Sequence, residues 1–468
     1  MHAKSSGFCF HSALGICLLT LAASAQTPTP GQNVNMVAGR DWPGGDPFLQ
    51  RQNEPSLAVS TRNPQHLLGG ANDYRTVDLP LTDELPNGGT LTGDAWLGLF
   101  KSFNGGQTWQ STLIPGYPQD LSANGLVSPL KGFTTASDPV VRSGTNGLFY
   151  YAGIAFDRPT NKGAVFVTRF VDLNNRENGN AAPSGPVADS TDPIRYNGTV
   201  IVDRSGPSQF LDKPWLAVDV PRPGAPTCRL QVAQPGGTVP QTFAAGNVYI
   251  VYTKFFLNSA GTPIYSQILF SRSTDCGSTW SAPAPILALD EWKHPNASLH
   301  QGAIVQVDPQ AGFVYVAWRR FKTAAFPDSI LIAASIDRKS VLPGIPVVTL
   351  PPYSAGSPYP SFFDNLQATT ATAMRTNAFP ALAVDDSGFR GWPGRLYLAW
   401  SQRVAPDGLA RIMMFNFPGS LMLTPDGISL KPFVVDNATL TDDAGHAFAR
   451  GHQFMPQMTF TAGKLMIL

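Results

Sequence analysis

Carboxylates that could carry acid–base or nucleophilic chemistry stand beside an apolar segment that recurs along the chain. Glu54, Asp138 and Asp212 come just before copies of a segment of the form P-x-L-A-V-D, and Asp73 follows the next apolar run. Carboxyl groups placed in this way can serve as general acid, general base or nucleophile. Acids ahead of a proline also cap turns and brace neighbouring strands, and both interpretations stay open.

Arginines follow the second apolar segment of several repeats. Arg75, the pair Arg319 and Arg320, and Arg403 come from three different units. Planar guanidinium groups bind a carboxylate through two parallel hydrogen bonds, so arginines that converge from three units would bind an acidic ligand. Arginines at strand ends are equally expected to be solvated or paired with neighbouring acids.

The apolar segment belongs to a unit that recurs six times, with successive separations of 84, 75, 89, 77 and 76 residues. The six copies begin at Pro55, Pro139, Pro214, Ala303, Pro380 and Pro456. Gln301 and Gln453 lie just ahead of the fourth and sixth copies, where other copies carry acids.

Each unit continues with a second segment rich in Val, Tyr and Trp. These second segments are predicted as strands at 67–71, 148–153, 248–253, 314–318, 396–400 and 465–468. Further apolar runs follow, and no long amphipathic helix interrupts them. About four strands in each of six units predict an all-β, six-bladed β-propeller. The sixth unit stops inside its second strand, so we expect a truncated last blade.

Two eight-residue stretches, 102–109 and 273–280, share the pattern S-x-[DN]-x-G-x-T-W. The fixed positions are Ser102, Asn104, Gly106 and Trp109 in the first copy, and Ser273, Asp275, Gly277 and Trp280 in the second. The Asp or Asn can bond its own backbone, the Gly can take a positive φ, and the Trp can cover the turn. The pattern predicts a tight turn between two strands, with a structural role.

These stretches resemble the Asp box, or BNR repeat, of the sialidase-like β-propellers. The resemblance implies that each box joins the third and fourth strands of a blade, away from the active site. It also implies that the starts of the first strands and the ends of the second strands meet at the mouth of a central channel. Glu54, Asp73, Asp138 and Asp212 are then catalytic candidates, and Tyr74 is a nucleophile that Glu54 could activate.

The same geometry makes a set of polar residues the candidates for binding substrate. They are Arg75, Arg319, Arg320, Arg403, Gln301 and Gln453. The resemblance implies a secreted exo-α-sialidase-type glycoside hydrolase that acts on terminal acidic sugars. The alternative is a non-catalytic propeller that binds glycans or proteins through the same rim. No Arg-Ile-Pro motif occurs, although the family carries one in its first blade.

The amino terminus has the pattern of a secretory signal, with Lys4, an apolar run over 13–23 and Ala-Ser-Ala before Gln26. We therefore expect a signal peptide over 1–25, a linker or strap over 26–50, and the propeller over 51–468 in a secreted or periplasmic protein. Of the four cysteines, only Cys228 and Cys276 would remain, and they are expected to form one disulfide.

Charge and composition exclude several classes of partner. Lys and Arg number 33 against 32 Asp and Glu, so no global field favours nucleic acid or an anionic membrane. Beyond the signal, no segment reaches the ~18 consecutive apolar residues of a membrane span. We expect a monomer that binds a glycan, without a catalytic cofactor or metal. Acidic turns at 189–192 and 441–443 could hold structural Ca²⁺, although solvated turns are the simpler interpretation.

Overall fold

A computed structural model gives the fold of most of the chain. It describes residues 33–37, 52–74, 94–158, 160, 162–174, 192–291, 298–335, 344–349, 378–388, 392–403, 410–423, 431–435, 440–441, 447–448, 453 and 455–468. The chain divides into two compact units, Met1–Val34 and Asn35–Leu468, and all strands belong to the second. The expected signal peptide lies outside the described residues.

Five four-stranded antiparallel sheets follow one another along the chain. Sheet 1 contains β1 (Gln52–Val59), β2 (Leu67–Asp73), β3 (Trp96–Ser102) and β4 (Gln110–Leu113). Sheet 2 contains β5 (Thr135–Ser143), β6 (Leu148–Asp157), β7 (Lys162–Asp172) and β8 (Ile194–Ser205). Sheet 3 contains β9 (Gln209–Val218), β12 (Val248–Leu257), β13 (Pro263–Ser273) and β14 (Ala284–Ile286). The hairpin β10 (Cys228–Gln234) and β11 (Gly237–Phe243) is inserted after β9.

Two more four-stranded sheets and two short hairpins follow in the part of the chain that the structure describes. Sheet 4 contains β15 (His300–Val307), β16 (Val314–Arg320), β17 (Ser329–Ser335) and β18 (Ile345–Thr349). Sheet 5 contains β19 (Ala381–Val384), β20 (Arg395–Arg403), β21 (Ala410–Pro418) and β22 (Phe433–Val434). A hairpin of β23 (Leu440–Thr441) and β24 (Ala447–Phe448) precedes sheet 6, which contains β25 (Met458–Thr461) and β26 (Lys464–Ile467).

Helical structure in the described ranges is limited to three short turns. They are α1 (Ala123–Leu126) and the 3-10 turns Leu289–Glu291 and Gly419–Leu423. No helix among the described residues has the length and apolar character required to cross a membrane. The all-β prediction is therefore confirmed.

The four-stranded sheets repeat one plan, in which each strand pairs with the next strand of the same sheet in chain order. The first strands also contact one another in chain order, from β1 through β5, β9, β15 and β19 to β25. This arrangement is consistent with a β-propeller, while the number of blades stays a prediction. Strands β2, β6, β12, β16, β20 and β26 contain or overlap the six predicted second segments.

The core lies between successive sheets. One buried cluster joins sheets 1 and 2, another sheets 2 and 3, and two more join sheets 3 and 4 and sheets 4 and 5. Strands such as β6 and β16 are buried along almost their whole length, because neighbouring sheets cover both faces. Trp318 and Trp400 are completely buried in these layers. Apolar contact between sheets thus fixes where each first strand begins.

The two Asp-box stretches form the same turn, between β3 and β4 and between β13 and β14. In the second, the Ser273 hydroxyl donates to Asp275 Oδ1 at 2.7 Å and accepts from the Gly277 amide at 2.7 Å. Asp275 Oδ1 also accepts from the Thr279 amide at 2.9 Å. Gly277 has a φ of 75°, which glycine adopts without steric cost. The Ser and Asp side chains of the turn thus bond one another and the backbone amides of the turn, as a structural role requires.

The first Asp box forms a similar set of hydrogen bonds, with a different side chain as the main acceptor. Asn104 Oδ1 takes the place of the carboxylate and accepts from the Thr108 amide at 2.9 Å. The Ser102 hydroxyl accepts from the Gly106 amide at 2.8 Å, and the Trp109 indole donates to the Gly106 carbonyl at 3.0 Å. Trp280, its counterpart in the second box, packs against the cluster between sheets 2 and 3.

Cys228 and Cys276 are joined by a disulfide, with their Cα atoms 5.9 Å apart. Cys228 begins β10, and Cys276 lies inside the second Asp box. The bond therefore ties the base of the inserted hairpin to the turn between β13 and β14. Both cysteines are buried in the cluster between sheets 2 and 3.

Candidate functional site

The first strands of four sheets share a backbone feature just before the repeated apolar segment. Glu54, Asp138 and Lys213 have φ values of 54°, 61° and 50°, and Gly302 has 70° at the equivalent place in β15. The strand register shifts at each of these points, as in a β-bulge. Left-handed backbone is unfavourable for residues with a Cβ, and it is found mostly where surrounding structure enforces it.

The bulges bring together a group of side chains that we call the carboxylate cluster, defined as Glu54, Asp138, Asp212 and Lys213. Lys213 Nζ lies 2.7 Å from Glu54 Oε1, and the Lys213 amide donates to Asp138 Oδ2 at 3.0 Å. The Asp138 carboxyl group lies close enough to those of Glu54 and Asp212 to influence its pKa. Three acids and one lysine from three successive sheets thus form one continuous network.

Two amide side chains extend this network to other strands. Asn72, in β2, accepts from the Asp138 amide at 2.8 Å and donates to Glu54 Oε2 at 3.4 Å. Gln301, in β15, donates through Nε2 to Asp212 Oδ2. The cluster therefore joins the first strands of sheets 1 to 4.

The acids of the cluster are electrostatically coupled. Burial raises the pKa of Glu54, and the neighbouring Asp138 raises it further, while Lys213 opposes the shift. Burial also raises the pKa of Asp138, followed by the charge of Asp212, against the effect of Lys213. Carboxyl groups in hydrogen-bond contact cannot all ionise freely, so the cluster retains a proton to higher pH than isolated acids would.

The lysine responds in the opposite sense. Burial lowers the pKa of Lys213, but the charges of Asp138 and Glu54 outweigh that effect and the pKa rises. Lys213 is therefore held as a cation. The side chains of Glu54 and Lys213 are 36% and 30% exposed, so a ligand can reach this end of the cluster from solvent.

Asp73 and Tyr74 occupy different surroundings from the cluster. Asp73 is fully buried at the end of β2, and its charge adds to the effect of burial in raising the pKa of Tyr151. A carboxylate with no exposed surface cannot meet a substrate, which corrects its assignment as a catalytic candidate. Tyr74 is half-buried at the end of the same strand. Its pairing with Glu54 stays a prediction, and the Glu54 carboxylate already has Lys213 and Asn72 as partners.

The guanidinium groups of the two sheet 4 arginines already bind protein carboxylates. Arg319 binds Asp328 through Nε and Nη2, at 3.1 and 2.9 Å. Arg320 binds Asp290 at 2.8 and 2.9 Å and Glu291 at 3.1 Å. Both guanidinium groups are buried, and buried cations require such internal partners. Their assignment to substrate binding is corrected accordingly.

The remaining arginines and Gln453 are placed as follows. Arg75 lies outside the described residues, and the Arg403 backbone ends β20 opposite Ala410. Their role in substrate binding stays a prediction. The Gln453 amide donates to the Ala410 carbonyl at 3.0 Å, and its side-chain oxygen accepts from the Ile412 amide at 3.4 Å. These contacts attach Gln453 to β21 rather than to the carboxylate cluster.

A buried network supports the start of β15, directly beside Gln301. The Trp318 indole donates to His300 Nδ1 at 2.9 Å, and His300 Nε2 lies 2.9 Å from Glu291 Oε2. An indole N–H can only donate, so Nδ1 accepts and Nε2 carries the hydrogen that Glu291 receives. The network fixes the His300 ring and thereby the residue that precedes Gln301.

Sequence reasoning did not assign site roles to Lys213 or Asn72. Lys213 could have been found from its place, because it precedes the repeat proline just as Glu54 and Asp138 do. Asn72 had no such signal, since its contacts depend on how β2 lies beside β5. Among the described residues, no group of three or more His, Cys, Asp or Glu side chains is arranged to hold a metal ion.

No protein-family model matches the chain, and no curated protein does. The chain is similar in structure to an α-L-arabinanase of Penicillium chrysogenum, at 12% identity over 83% of each chain with a TM-score of 0.40. It is also similar to an α-L-arabinofuranosidase of Fusarium graminearum, at 12% identity over 89% of this chain and 91% of that one, with a TM-score of 0.41.

A sialidase of Trypanosoma rangeli is similar at 10% identity, over 88% of this chain and 51% of that one, with a TM-score of 0.39. The structural neighbours thus include sialidases, the family that the Asp boxes resemble. The fold assignment rests on the order and pairing of the chain's own sheets.

Proposed function

We propose that this chain is a glycoside hydrolase built on a six-bladed β-propeller, with the carboxylate cluster as its catalytic centre. The observation that carries this proposal is the group of Glu54, Asp138 and Asp212, in which Lys213 contacts the first two acids and Gln301 binds the third. Two of the three acids have raised pKa values. Glycoside hydrolysis needs one carboxyl group that keeps a proton and a second that is ionised. A coupled series of acids can provide both.

The geometry favours a division of roles along the series. Glu54 is the most exposed acid and holds a raised pKa, so it can donate a proton to the leaving oxygen of a bound glycoside. Asp212, which Gln301 binds, can act as base or nucleophile. Asp138, on β5, comes between them in the order of the first strands, and such catalytic pairs require a spacing of about 5 Å or more.

The net charge of the carboxylate cluster affects whether a charged or a neutral sugar is the better substrate. Three carboxyl groups face one lysine, and Arg319 and Arg320 are bound by protein acids. Surplus negative charge repels an anionic sugar and tolerates a neutral one. We therefore expect neutral terminal sugars to be the better substrates. Exo-α-sialidase activity, which the Asp boxes suggest, would depend on Arg75 and Arg403.

A second candidate function is a non-catalytic propeller that binds glycans or proteins. It is favoured by the internal satisfaction of the cluster, in which Lys213 neutralises Glu54 and Gln301 binds Asp212. A network of this kind can brace four first strands without doing chemistry. The signal pattern over 1–25 and the disulfide are typical of an exported protein under either function.

The test is hydrolysis of fluorogenic α-L-arabinofuranoside, β-galactoside and α-sialoside by the purified chain. Glu54→Gln, Asp138→Asn and Asp212→Asn are each expected to lower kcat by about 10²-fold or more, because each removes a group that transfers a proton or forms a bond. Asp386 is an exposed acid between β19 and β20, so Asp386→Asn is the matched control and should leave kcat unchanged.

Two outcomes would decide against the proposal. Absence of turnover on all three glycosides by a folded protein would leave the binding function. Turnover that survives Asp138→Asn and Asp212→Asn would move the catalytic centre elsewhere. Turnover of the sialoside alone, lost in Arg75→Ala, would support the sialidase-type activity instead of a preference for neutral sugars.

A further inference from the structure

A cleft of about 580 Å³ opens between the outer strands of sheets 1 and 2, and we call it the lateral cleft. Its walls come from β3, β4, β7 and β8, and the loop 115–124 closes one side. The tip of the β10–β11 hairpin, 233–235, closes another. The volume lies within the range of about 300–1,000 Å³ that is usual for small-molecule sites.

The lateral cleft is separate from the carboxylate cluster. The cluster is built by the first strands, whereas the cleft is built by the third and fourth strands of sheets 1 and 2. The β10–β11 hairpin, whose tip closes one side of the cleft, is held in place at two points. The Ala233 amide donates to Asn197 Oδ1 at 3.1 Å, and the disulfide fixes the base of the hairpin through Cys228. Because the hairpin is held in this way, the cleft is already formed before a ligand binds.

Aromatic and polar side chains line the cleft together. Phe170 and Tyr196 meet edge to face with ring centroids 5.8 Å apart, and Tyr117 lies in the loop wall. The amides of Asn124 and Gln234 stand at the rim, where Asn124 is exposed and Gln234 is half-buried. Phe170 is only 1% exposed, so Tyr117 and Tyr196 are the aromatic rings of the cleft that a ligand can reach. Tyrosine rings with amide groups around them suit a ligand that has both C–H surfaces and hydroxyl groups.

The charged groups of the cleft balance one another. Lys101 and Arg195 line it with Asp120 and Asp192, so the formal charge sums to zero. Lys101 Nζ donates to both Asp192 oxygens, at 2.9 and 3.0 Å, and to the Ile194 carbonyl at 2.8 Å. Asp120 accepts from the Gly116 and Ser122 amides at 2.8 and 2.9 Å. Such a site attracts no ion of either sign.

We propose that the lateral cleft is a second binding site, specific for an uncharged mono- or disaccharide. It would hold a glycan at a distance from the carboxylate cluster, without any role in bond cleavage. This site does not depend on the proposed function, because its walls contain none of the cluster residues. It would serve a hydrolase or a binding propeller equally.

The test is saturation-transfer-difference NMR of the full chain with lactose or maltose at about 5 mM, with methyl α-sialoside as the anionic comparison. The neutral disaccharides should bind with Kd in the millimolar range, and the sialoside should bind at least about tenfold more weakly. Asn124→Ala combined with Gln234→Ala should weaken binding at least about fivefold, and Tyr196→Ala about tenfold. The rim pair alters positions that are not fully buried, so the fold is expected to persist.

A variant of the carboxylate cluster, which we call the central variant, tests whether the disaccharide binds in the lateral cleft or at the cluster. Asp138→Asn with Lys213→Met changes only cluster residues and should leave disaccharide binding unchanged, whatever it does to turnover. Binding that is lost in the central variant and kept in the rim variant would overturn the proposal. Equal binding of all three sugars, or no binding by a folded chain, would overturn it as well.

Discussion

Glu54, Asp138 and Lys213 combine an unfavourable backbone conformation with an unfavourable concentration of charge. Each has a positive φ immediately before a proline, and each belongs to the carboxylate cluster. Both features cost stability. Residues that oppose stability in this way are expected where a site needs them, so the cluster is the strongest candidate for function at the scale of single residues.

Asp138→Asn is expected to stabilise the fold at neutral pH by about 1 kcal/mol. Burial and Asp212 raise the pKa of Asp138, so the folded state binds its proton more tightly than the unfolded state. That stabilisation is complete below the unfolded pKa of about 4 and is lost as pH rises through the folded value. Asparagine needs no proton and tolerates a positive φ better.

Urea unfolding at pH 7 and at pH 3.5 measures this effect. The free energy of unfolding of the variant should exceed that of the unchanged chain at pH 7, and the gain should shrink at pH 3.5. A gain of the same size at both pH values would mean that backbone relief, not the carboxyl pKa, is responsible.

At the scale of elements, the bulge of β15 also serves the packing of neighbouring sheets. Gly302 occupies the bulge of β15 with a φ of 70°, and the ring of Phe379 fills the space beside its Cα. Phe379 comes just before Pro380 and the start of β19. Sheets 4 and 5 therefore approach each other closely at this point. The absence of a side chain at Gly302 permits that approach.

Gly302→Ala should lower the free energy of unfolding by about 3 kcal/mol or more, since the added methyl group would overlap the Phe379 ring and require a left-handed backbone. Gly463→Ala is the matched control. Gly463 has a φ of 74° with nothing within 4 Å of an added Cβ, so only the backbone cost of about 1 kcal/mol is expected. Chemical denaturation of both variants gives the comparison, and equal losses would show that Phe379 moves aside.

The disulfide also contributes to stability at the scale of elements. It closes a sequence separation of 48 residues, and it restricts the unfolded chain accordingly. Replacing both Cys228 and Cys276 by Ser should lower the free energy of unfolding by about 3 kcal/mol. A reducing agent should destabilise the unchanged chain by a similar amount and leave the double variant unaffected. No effect of reduction on the unchanged chain would contradict the bond.

At the scale of the whole molecule, stability depends on the layers between successive sheets. Ile250 of β12 is fully buried in the cluster that joins sheets 2 and 3. No sheet has both faces covered unless its neighbours are folded. The described sheets are therefore expected to unfold together rather than one at a time.

Ile250→Ala should lower the free energy of unfolding by about 2–5 kcal/mol, and Ile250→Val by about 1 kcal/mol, in proportion to the buried volume removed. Tryptophan fluorescence and far-UV circular dichroism should report the same midpoint in both variants. Separate midpoints would show that sheets 2 and 3 unfold independently of the rest.

The sequence by itself determined the repeated architecture. Its apolar segments recur at a nearly constant spacing, and the strands that pair with them lie where alternation predicted. In the two Asp boxes, the hydrogen bonds of the Ser and Asp or Asn side chains run between residues at most four positions apart, so their pattern was sufficient to predict these turns. Local periodicity and turn chemistry depend on near neighbours, and these are visible in one sequence.

The tertiary structure alone decided which polar side chains meet. Glu54 and Lys213 are 159 positions apart in the chain and form an ion pair that residue type and spacing did not predict. Arg320 has the residue type of a substrate-binding arginine, but Asp290 and Glu291 bind it in the interior. The partner of a charged group depends on how sheets distant in sequence pack together, and residue type and spacing do not encode that packing.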